Sequence, residues 1–410
     1  MVDADQAQRQ EFRERARSWL TANVPTADLD ELTTAKRFQA ALQEAGFAGI
    51  TWPAAYGGQG LGEAAQLAFN DVARDFDLPT QPFIIGMGMC GPTIVDLGTE
   101  EQKARYLPPL LRGEEIWCQL FSEPGAGSDV ASLQTRAVRD GGGWVLEGQK
   151  VWTTLAHLAD FGAVLARTNP DVPKHQGLTM FIVDMRAPGV EVRPLRDMTG
   201  RAPFNEVFFE GVRLDPDSVI GTEGAGWSAA VTMLGHERVF IGTTVARHSD
   251  PFAFPALAED ARANGVLDDQ SVRTDLAELY SRQRALRLFT ARLRQEANSG
   301  KPVGARGSVA KLVGALNAAF AVEVAGTVGG PGVVAAAADD QHAIERAVAI
   351  NGTPSSAIAG GTNEIQRNII GERVLGLAKE PSVDRDVPFR ELKVGTQRAE
   401  YRERRSWNWF

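Results

Sequence analysis

Phe12, Ala16, Trp19 and Leu20 recur at i, i+4, i+7 and i+8, which puts four apolar side chains on one side of a helix near the start of the chain. TTAKRFQAALQEAGF predicts a second helix, opened by Thr33 or Thr34 and stopped near Gly46. EEQKARYLPPLLRGEE predicts a third, broken at Pro108. From about Cys118 the period changes to two. TRAVRDGGGWVLEGQKVWTT holds two extended runs on either side of DGGG, a hairpin pattern. FGAVLART, LTMFIVDM, VEVRPL and EVFFEGVRL follow, rich in β-branched and aromatic residues and punctuated by Gly and Pro. After GTEGAGW the helical period returns. WSAAVTMLGHERVFIGTTVARH, SVRTDLAELYSRQRALRLFTARLRQEANSG, GSVAKLVGALNAAFAVEVAG and IAGGTNEIQRNIIGERVLG predict four long helices, and four of that length suggest a bundle.

The pattern divides the chain into an N-terminal all-α domain over residues 1–115, a compact antiparallel β domain over 116–226 and a four-helix domain over 227–385. A charged, aromatic tail over 386–410 is expected to pack on a neighbour or to be disordered in part. The 410 residues are 43% hydrophobic and 23% charged, ordinary for a globular protein with well-buried cores. A net charge of −9 argues against nucleic acid or an anionic membrane as the main partner. The sequence offers no apolar run of eighteen residues, so no membrane span is expected. The opening residues are too polar for a signal peptide, and Cys90 and Cys118 give no disulfide framework, so the cytoplasm is the expected compartment. The five histidines show no H-x-x-x-H pair, so no metal site is expected.

Three stretches carry candidate chemistry. CQLFSEPGAGSDVASLQT, from Cys118 to Thr135, places Ser122, Gly125, Gly127 and Ser128 where helix gives way to strand. Small side chains, exposed N–H groups and two hydroxyls in one loop suit a flat polar ring edge and a phosphate. The same residues also make an ordinary surface turn. GQKVWTT adds the flat face of Trp152 and the hydroxyl of Thr154, although a lone Trp is more often part of a core. IAGGTNEIQRNIIGERVLG sets Gly360 and Gly361 directly before a helix, where no side chain blocks a close approach to the backbone.

Taken together, S-E-P-G-A-G-S-D, G-Q-K-V-W-T-T, F-N-E-V-F-F-E-G-V-R-L and A-G-G-T-N-E-I-Q-R, in that order, resemble the acyl-CoA dehydrogenase family. TWPAAYGGQG, from Thr51 to Gly60, is similar to that family's N-terminal W-P-x-x-Y-G-G stretch, and the resemblance covers essentially the whole chain. It implies an α+β multidomain fold: a helical domain, a β-barrel domain and a C-terminal four-helix bundle. It also implies FAD, with Gln119, Leu120, Ser122, Gly127, Ser128, Trp152, Thr153 and Thr154 around the ring and pyrophosphate, and Thr362, Asn363 and Glu364 at the start of the last helix. Ser128, Arg238, Gly360 and Gly361 are the substrate-binding residues implied by position. The free N–H groups and positive dipole end of a helix start favour such contacts.

The reaction implied is α,β-desaturation of an acyl thioester: a base takes the α-proton while the β-hydrogen leaves as hydride to flavin N5. That needs a carboxylate against Cα and donors on the thioester carbonyl. Much of the family has a Glu just before the Gly-Thr of the last motif, and here that position is Gly360, which can offer only its N–H. The isovaleryl-CoA branch takes its Glu from the first helix of the C-terminal domain. MLGHERVFIG matches that position with Glu237 and Arg238, among Met233, Leu234, Val239, Phe240 and Ile241. Two other readings stand: Glu237 as the partner of Arg238 or Arg247 at a subunit contact, and Glu364 as a rival carboxylate.

Two family features are missing. The Arg-x-x-Phe-Gly stretch has no counterpart in AEDARANGVLDDQSVRTDL, where Arg273 is the available substitute, and the family's Gln-x-x-Gly-Gly becomes GTVGG, with Gly326 in place of Gln. Both groups act across a subunit interface in the family, so the resemblance allows either a homotetramer or a heterotetramer of the type that acts on bulky, steroid-like thioesters. The expected partners are an acyl-CoA or carrier-protein thioester and an electron-transfer flavoprotein. A monooxygenase on the same fold and a partner subunit that only shapes a shared pocket are the competing functions.

Overall fold

The computed structural model of the chain describes residues 2–28, 31–243, 250–298, 304–333, 337, 339–379, 381 and 384–392. Its first third is helical: α1 (Val2–Asn23), α2 (Leu32–Glu44), α3 (Glu63–Ala73), α4 (Gly91–Leu97) and α5 (Glu100–Leu111). Ala16 and Leu20 are buried and Trp19 packs on Phe38 and Phe47, on the face the spacing predicts. Helix α2 opens differently from expectation. Its N-cap is Glu31, whose carboxylate accepts from the N–H groups of Thr33 and Thr34. Helix α5 begins with a Thr99–Gln102 capping box and runs through Pro108 and Pro109 instead of breaking there. Leu107, Leu110 and Leu111 are fully buried on its inner face. Three such side chains, worth about 1.5–3 kcal/mol each, outweigh the hydrogen bond a proline removes.

The middle of the chain forms β1 (Trp117–Leu120), β2 (Arg136–Asp140), β3 (Gly143–Thr154), β4 (Phe161–Arg167), β5 (Leu178–Asp184), β6 (Val190–Leu195), β7 (Phe204–Leu214) and β8 (Val219–Ile220). They make one sheet in the order β6-β7-β3-β2-β4-β5-β8, with β1 on β4. Most pairs are antiparallel, but β1 and β2 both pair β4 in parallel, so the sheet is mixed where an antiparallel one was expected. The β2–β3 hairpin turns at Gly141 and Gly142, both at positive φ, as the DGGG pattern requires.

The C-terminal part contains α6 (Gly226–Thr243), α7 (Phe254–Ala263), α8 (Gln270–Asn298), α9 (Gly307–Gly329), α10 (Gln341–Gly352) and α11 (Asn363–Ile369). Three of these are the long helices expected. The fourth is shorter than its pattern suggests, because α11 passes into a π turn over Ile370–Val374. One core joins the N-terminal helices, one side of the sheet and the Ala229–Met233 face of α6, so α6 is fixed against both earlier regions.

Helix α9 changes one expectation. With its lead-in, Gly304–Gly329 is long and apolar enough to cross a membrane, yet only 33% of its most apolar window is buried. The tail also differs. Residues 384–392 lie on this chain's own β domain: Pro388 bridges Pro173, the N–H of Phe389 donates to Val172 O, and that of Arg390 to Pro170 O. Residues 393–410 lie outside the described residues.

Candidate active site

The predicted residues fall into two groups. The first sits where the ends of β1 and β3 meet. The N–H of Val151 donates to Ser122 O at 2.9 Å, which holds SEPGAGSD beside VWTT. Beneath it, fully buried Lys150 donates to Phe121 O and to Glu123 Oε1, and Glu123 also accepts from the N–H groups of Gln134 and Thr135. The loop is therefore held by an ion pair from below. Above it the β3–β7 register slips between Lys150 and Thr153, and Trp152 adopts φ +59°. A bulky residue in the left-handed region is strained. The bulge turns Trp152 outward, leaving it 61% exposed with its edge on Phe204.

This arrangement fits a flavin. Gln119 Nε2 and Thr153 Oγ1 are buried without a hydrogen-bond partner, beside an exposed indole face. Buried polar atoms are almost always satisfied, so two orphans here point to a polar ligand. Gly127 and Ser128 are exposed on the adjacent loop, and Ser122 and Thr154 are half-buried. Leu120 is fully buried in the sheet core, which limits any ligand contact to its backbone.

The second group gathers where α6, α9 and α11 meet. Gly360 and Gly361 have φ +65° and +85°. Gln366 Nε2 donates to both of their carbonyls, at 2.9 and 3.2 Å, and a Cβ on Gly361 would stand 2.8 Å from that nitrogen. Both positions therefore call for glycine by backbone conformation, and at Gly361 the folded-back glutamine adds a close contact. Among the described residues no hydrogen-bond acceptor is seen for the Gly360 N–H. Thr362 caps α11 through Ile365 N, while Glu364 is exposed and pairs with Arg367. Asn363 Oδ1 and Gln366 Oε1 are buried without partners.

Glu237 lies on α6 at 9% exposure. It acts electrostatically on Lys311 of α9, as does Glu364, and Lys311 Nζ donates to Gly361 O at 2.6 Å. Burial pulls the Lys311 ammonium below its ordinary value, and the two carboxylates restore part of that. Next to Glu237, His236 binds Asp96 at 2.9 Å and ties α6 to α4. The Arg238 side chain and Arg247 lie outside the described residues. Arg273 is exposed in the first turn of α8, and Gly326 is exposed on α9 with nothing within 4 Å of a Cβ built there.

Lys311 was not among the sequence candidates. It is one of two charges in α9, and a lone cation in an otherwise apolar helix was the available signal. Gln366 stood inside the quoted motif without a role.

The fold is that of an acyl-CoA dehydrogenase. The chain matches that family's N-terminal domain over residues 6–114, its middle domain over 118–212 and its C-terminal domain over 224–375. It belongs to the acyl-CoA dehydrogenase family, a family of oxidoreductases. It is 36% identical to the acyl-CoA dehydrogenase IpdE1 of Mycobacterium tuberculosis, across 90% of this chain and 98% of that one. It is 40% identical to FadE34 of the same organism over 86% of this chain, but spans only 48% of FadE34. Among solved structures it is similar to the Tcur3481-Tcur3483 steroid ACAD, with a TM-score of 0.77 and 29% identity over 91% of this chain and 98% of that one.

Proposed function

We propose that this chain is an FAD-dependent acyl-CoA dehydrogenase in which Glu237 removes the α-proton of a bulky acyl thioester. The observation that carries the reading is the position of Glu237: a carboxylate almost out of water, on the helix that faces the Gly360–Gly361 turn through Lys311. A carboxylate desolvated in this way is a better match to a weakly acidic C–H than one in water. The Gly360 N–H polarises the thioester carbonyl, a role that needs no side chain. Gly360 also leaves space where much of the family has a carboxylate, which suits a large acyl group such as that of the steroid ACAD to which the chain is similar.

Gln119, Ser122, Gly127, Ser128, Trp152, Thr153 and Thr154 hold FAD in this reading, with Thr362 and Glu364 closing from α11. Bound FAD supplies the hydride acceptor. An electron-transfer flavoprotein is the acceptor the family resemblance implies.

The test is anaerobic flavin bleaching by a panel of straight-chain, branched and steroid-type CoA thioesters, with Glu237→Gln as control. The variant keeps FAD and ligand binding, and its bleaching rate falls by roughly 10³-fold or more. An unchanged rate removes Glu237 as the base. Product analysis with and without oxygen separates the monooxygenase alternative: oxygen incorporated into the aerobic product, in place of a double bond, identifies it.

One observation also favours a related second subunit. Leu316, Ala319 and Gly326 of the largely apolar helix α9 are exposed within one chain, and Gly326 and the missing Arg stretch leave cofactor contacts to come from elsewhere. The Tcur neighbour is described by two gene products. Purification alone decides: a homo-oligomer with one FAD per chain and full activity removes the second subunit.

A further inference from the structure

We infer that Lys311 is a positioning residue of the active site, holding the Gly360–Gly361 turn in place and keeping Glu237 ionised until substrate arrives. The second half rests on the reading of Glu237 as the base; the first half stands on geometry alone. Three elements meet at this ammonium. Helix α9 packs on both α6 and α11, and Lys311 lies in its second turn. Its Nζ donates to Gly361 O at 2.6 Å, a short charge-assisted bond to a backbone that no side chain stiffens. The carbonyls of both glycines are thereby taken up, one by Gln366 and the other by Gln366 and Lys311 together. A peptide plane fixed at its carbonyl is fixed at the N–H of the next residue, so Lys311 and Gln366 orient the N–H groups of Gly361 and Thr362 and hold the turn from which the Gly360 N–H projects.

The charged groups that act on Lys311 are Glu364, from α11, and Glu237, from α6. Glu364 is exposed and already engaged by Arg367, so solvent screens its pull. Glu237 is buried, and its interaction with the ammonium is screened less. His236, its neighbour on α6, is turned to Asp96 of α4. Ser308, one turn before Lys311 on the same side of α9, is fully buried with an unpartnered hydroxyl, which marks this side as lined for a polar ligand. A cation beside a buried carboxylate favours its charged form. Without Lys311 the buried carboxylate loses one of the charges that favour its ionised form.

The test compares Lys311→Met with Lys311→Arg in the full-length, FAD-loaded protein. Hydrogen exchange at residues 358–364, measured without substrate, rises at least tenfold in Lys311→Met and returns toward wild type in Lys311→Arg. The acid limb of the pH profile for single-turnover bleaching moves up by about one pH unit in Lys311→Met and moves back in Lys311→Arg. FAD content and melting temperature are recorded alongside, because a merely structural lysine would change those and leave the acid limb where it was. Unchanged exchange at the turn together with an unmoved acid limb overturns the proposal. Failure of the base assignment shows separately, as bleaching that survives Glu237→Gln, and in that case exchange at the turn alone decides the role of Lys311.

Discussion

Lys150, with no exposed surface, lies 2.9 Å from the carboxylate of Glu123, and the pair stands under the loop that runs from Ser122 to Ser128. Burial alone would raise the Glu123 carboxyl, but Lys150 and the N–H groups of Thr135 and Gln134 hold it below the ordinary value of 4.5. Burial pulls the Lys150 ammonium down, and Glu123 recovers only part of that. Removing one member leaves the other as a buried unpaired charge. Lys150→Met is therefore expected to cost about 3–5 kcal/mol, and the double variant Lys150→Met, Glu123→Gln less. Chemical denaturation of the three proteins checks the order; a double variant weaker than either single one contradicts it.

The same pair sets an acid limit. The folded pKa of Glu123 is depressed, so its contribution to stability is present above the unfolded value near 4.5 and is lost as pH falls through the lower folded value. Melting temperature measured from pH 7 downward should fall in that acid window, and the fall should be smaller in the double variant. Equal slopes would show that other carboxylates dominate acid unfolding.

Gly361→Ala places a Cβ 2.8 Å from Gln366 Nε2 at φ +85°. The left-handed backbone costs an L-residue about 1–2 kcal/mol, and the displaced glutamine lets go of two carbonyls. Bleaching by thioester substrates should therefore fall more than stability does. Gly125→Ala is the control: a Cβ there meets nothing within 4 Å, and the change should stay within about 0.5 kcal/mol.

Strands β2 to β7 were legible because alternation leaves little choice of face, as in β3 and β7, and because DGGG admits one kind of turn, whereas the short β1 and β8 were not picked out. The helix through Pro108 was not legible, since the buried leucines that hold it are a property of packing and not of the proline rule. The roles of Gly360, Gly361 and Glu237 were named from the family resemblance, and the structure sets the two glycines at positive φ and Glu237 in a buried position on α6. Lys150 and Glu123 are 27 residues apart and meet only when β3 is laid beside the loop after β1. Lys311 reads in sequence as a solvated charge, and only the approach of α11 turns it inward.

The uncovered side of the C-terminal helices makes a prediction about assembly. Leu288 of α8 and Leu316 of α9 are exposed in a single chain, and α8 packs directly on α9. Exposed leucines on two helices that pack on each other are candidates for cover by another chain. Leu288→Lys with Leu316→Lys should dissociate the assembly in light scattering while leaving the far-UV spectrum of the chain intact. An unchanged mass would mean that this side faces water.

The strap over residues 384–392 bears on the Ser122–Ser128 loop through two cations. Lys174 Nζ bridges Asp129, next to Ser128, and Asp384 at 2.8 and 2.7 Å. Arg167 donates to Ala131 O at 2.6 Å and to Lys174 O at 3.0 Å, and its guanidinium lies 3.5 Å from the centre of the Phe389 ring. Phe389 thus covers the group that holds the segment following the loop, and Arg390 pairs with Asp171 at the rim. Losing the ring contact costs about 0.5–2 kcal/mol, small against the whole fold but concentrated on one short segment. Phe389→Ala should raise hydrogen exchange at residues 129–135 and speed FAD loss, with little change at α6 or α9. If those amides keep their protection in the variant, the strap rests on the β domain without bracing it.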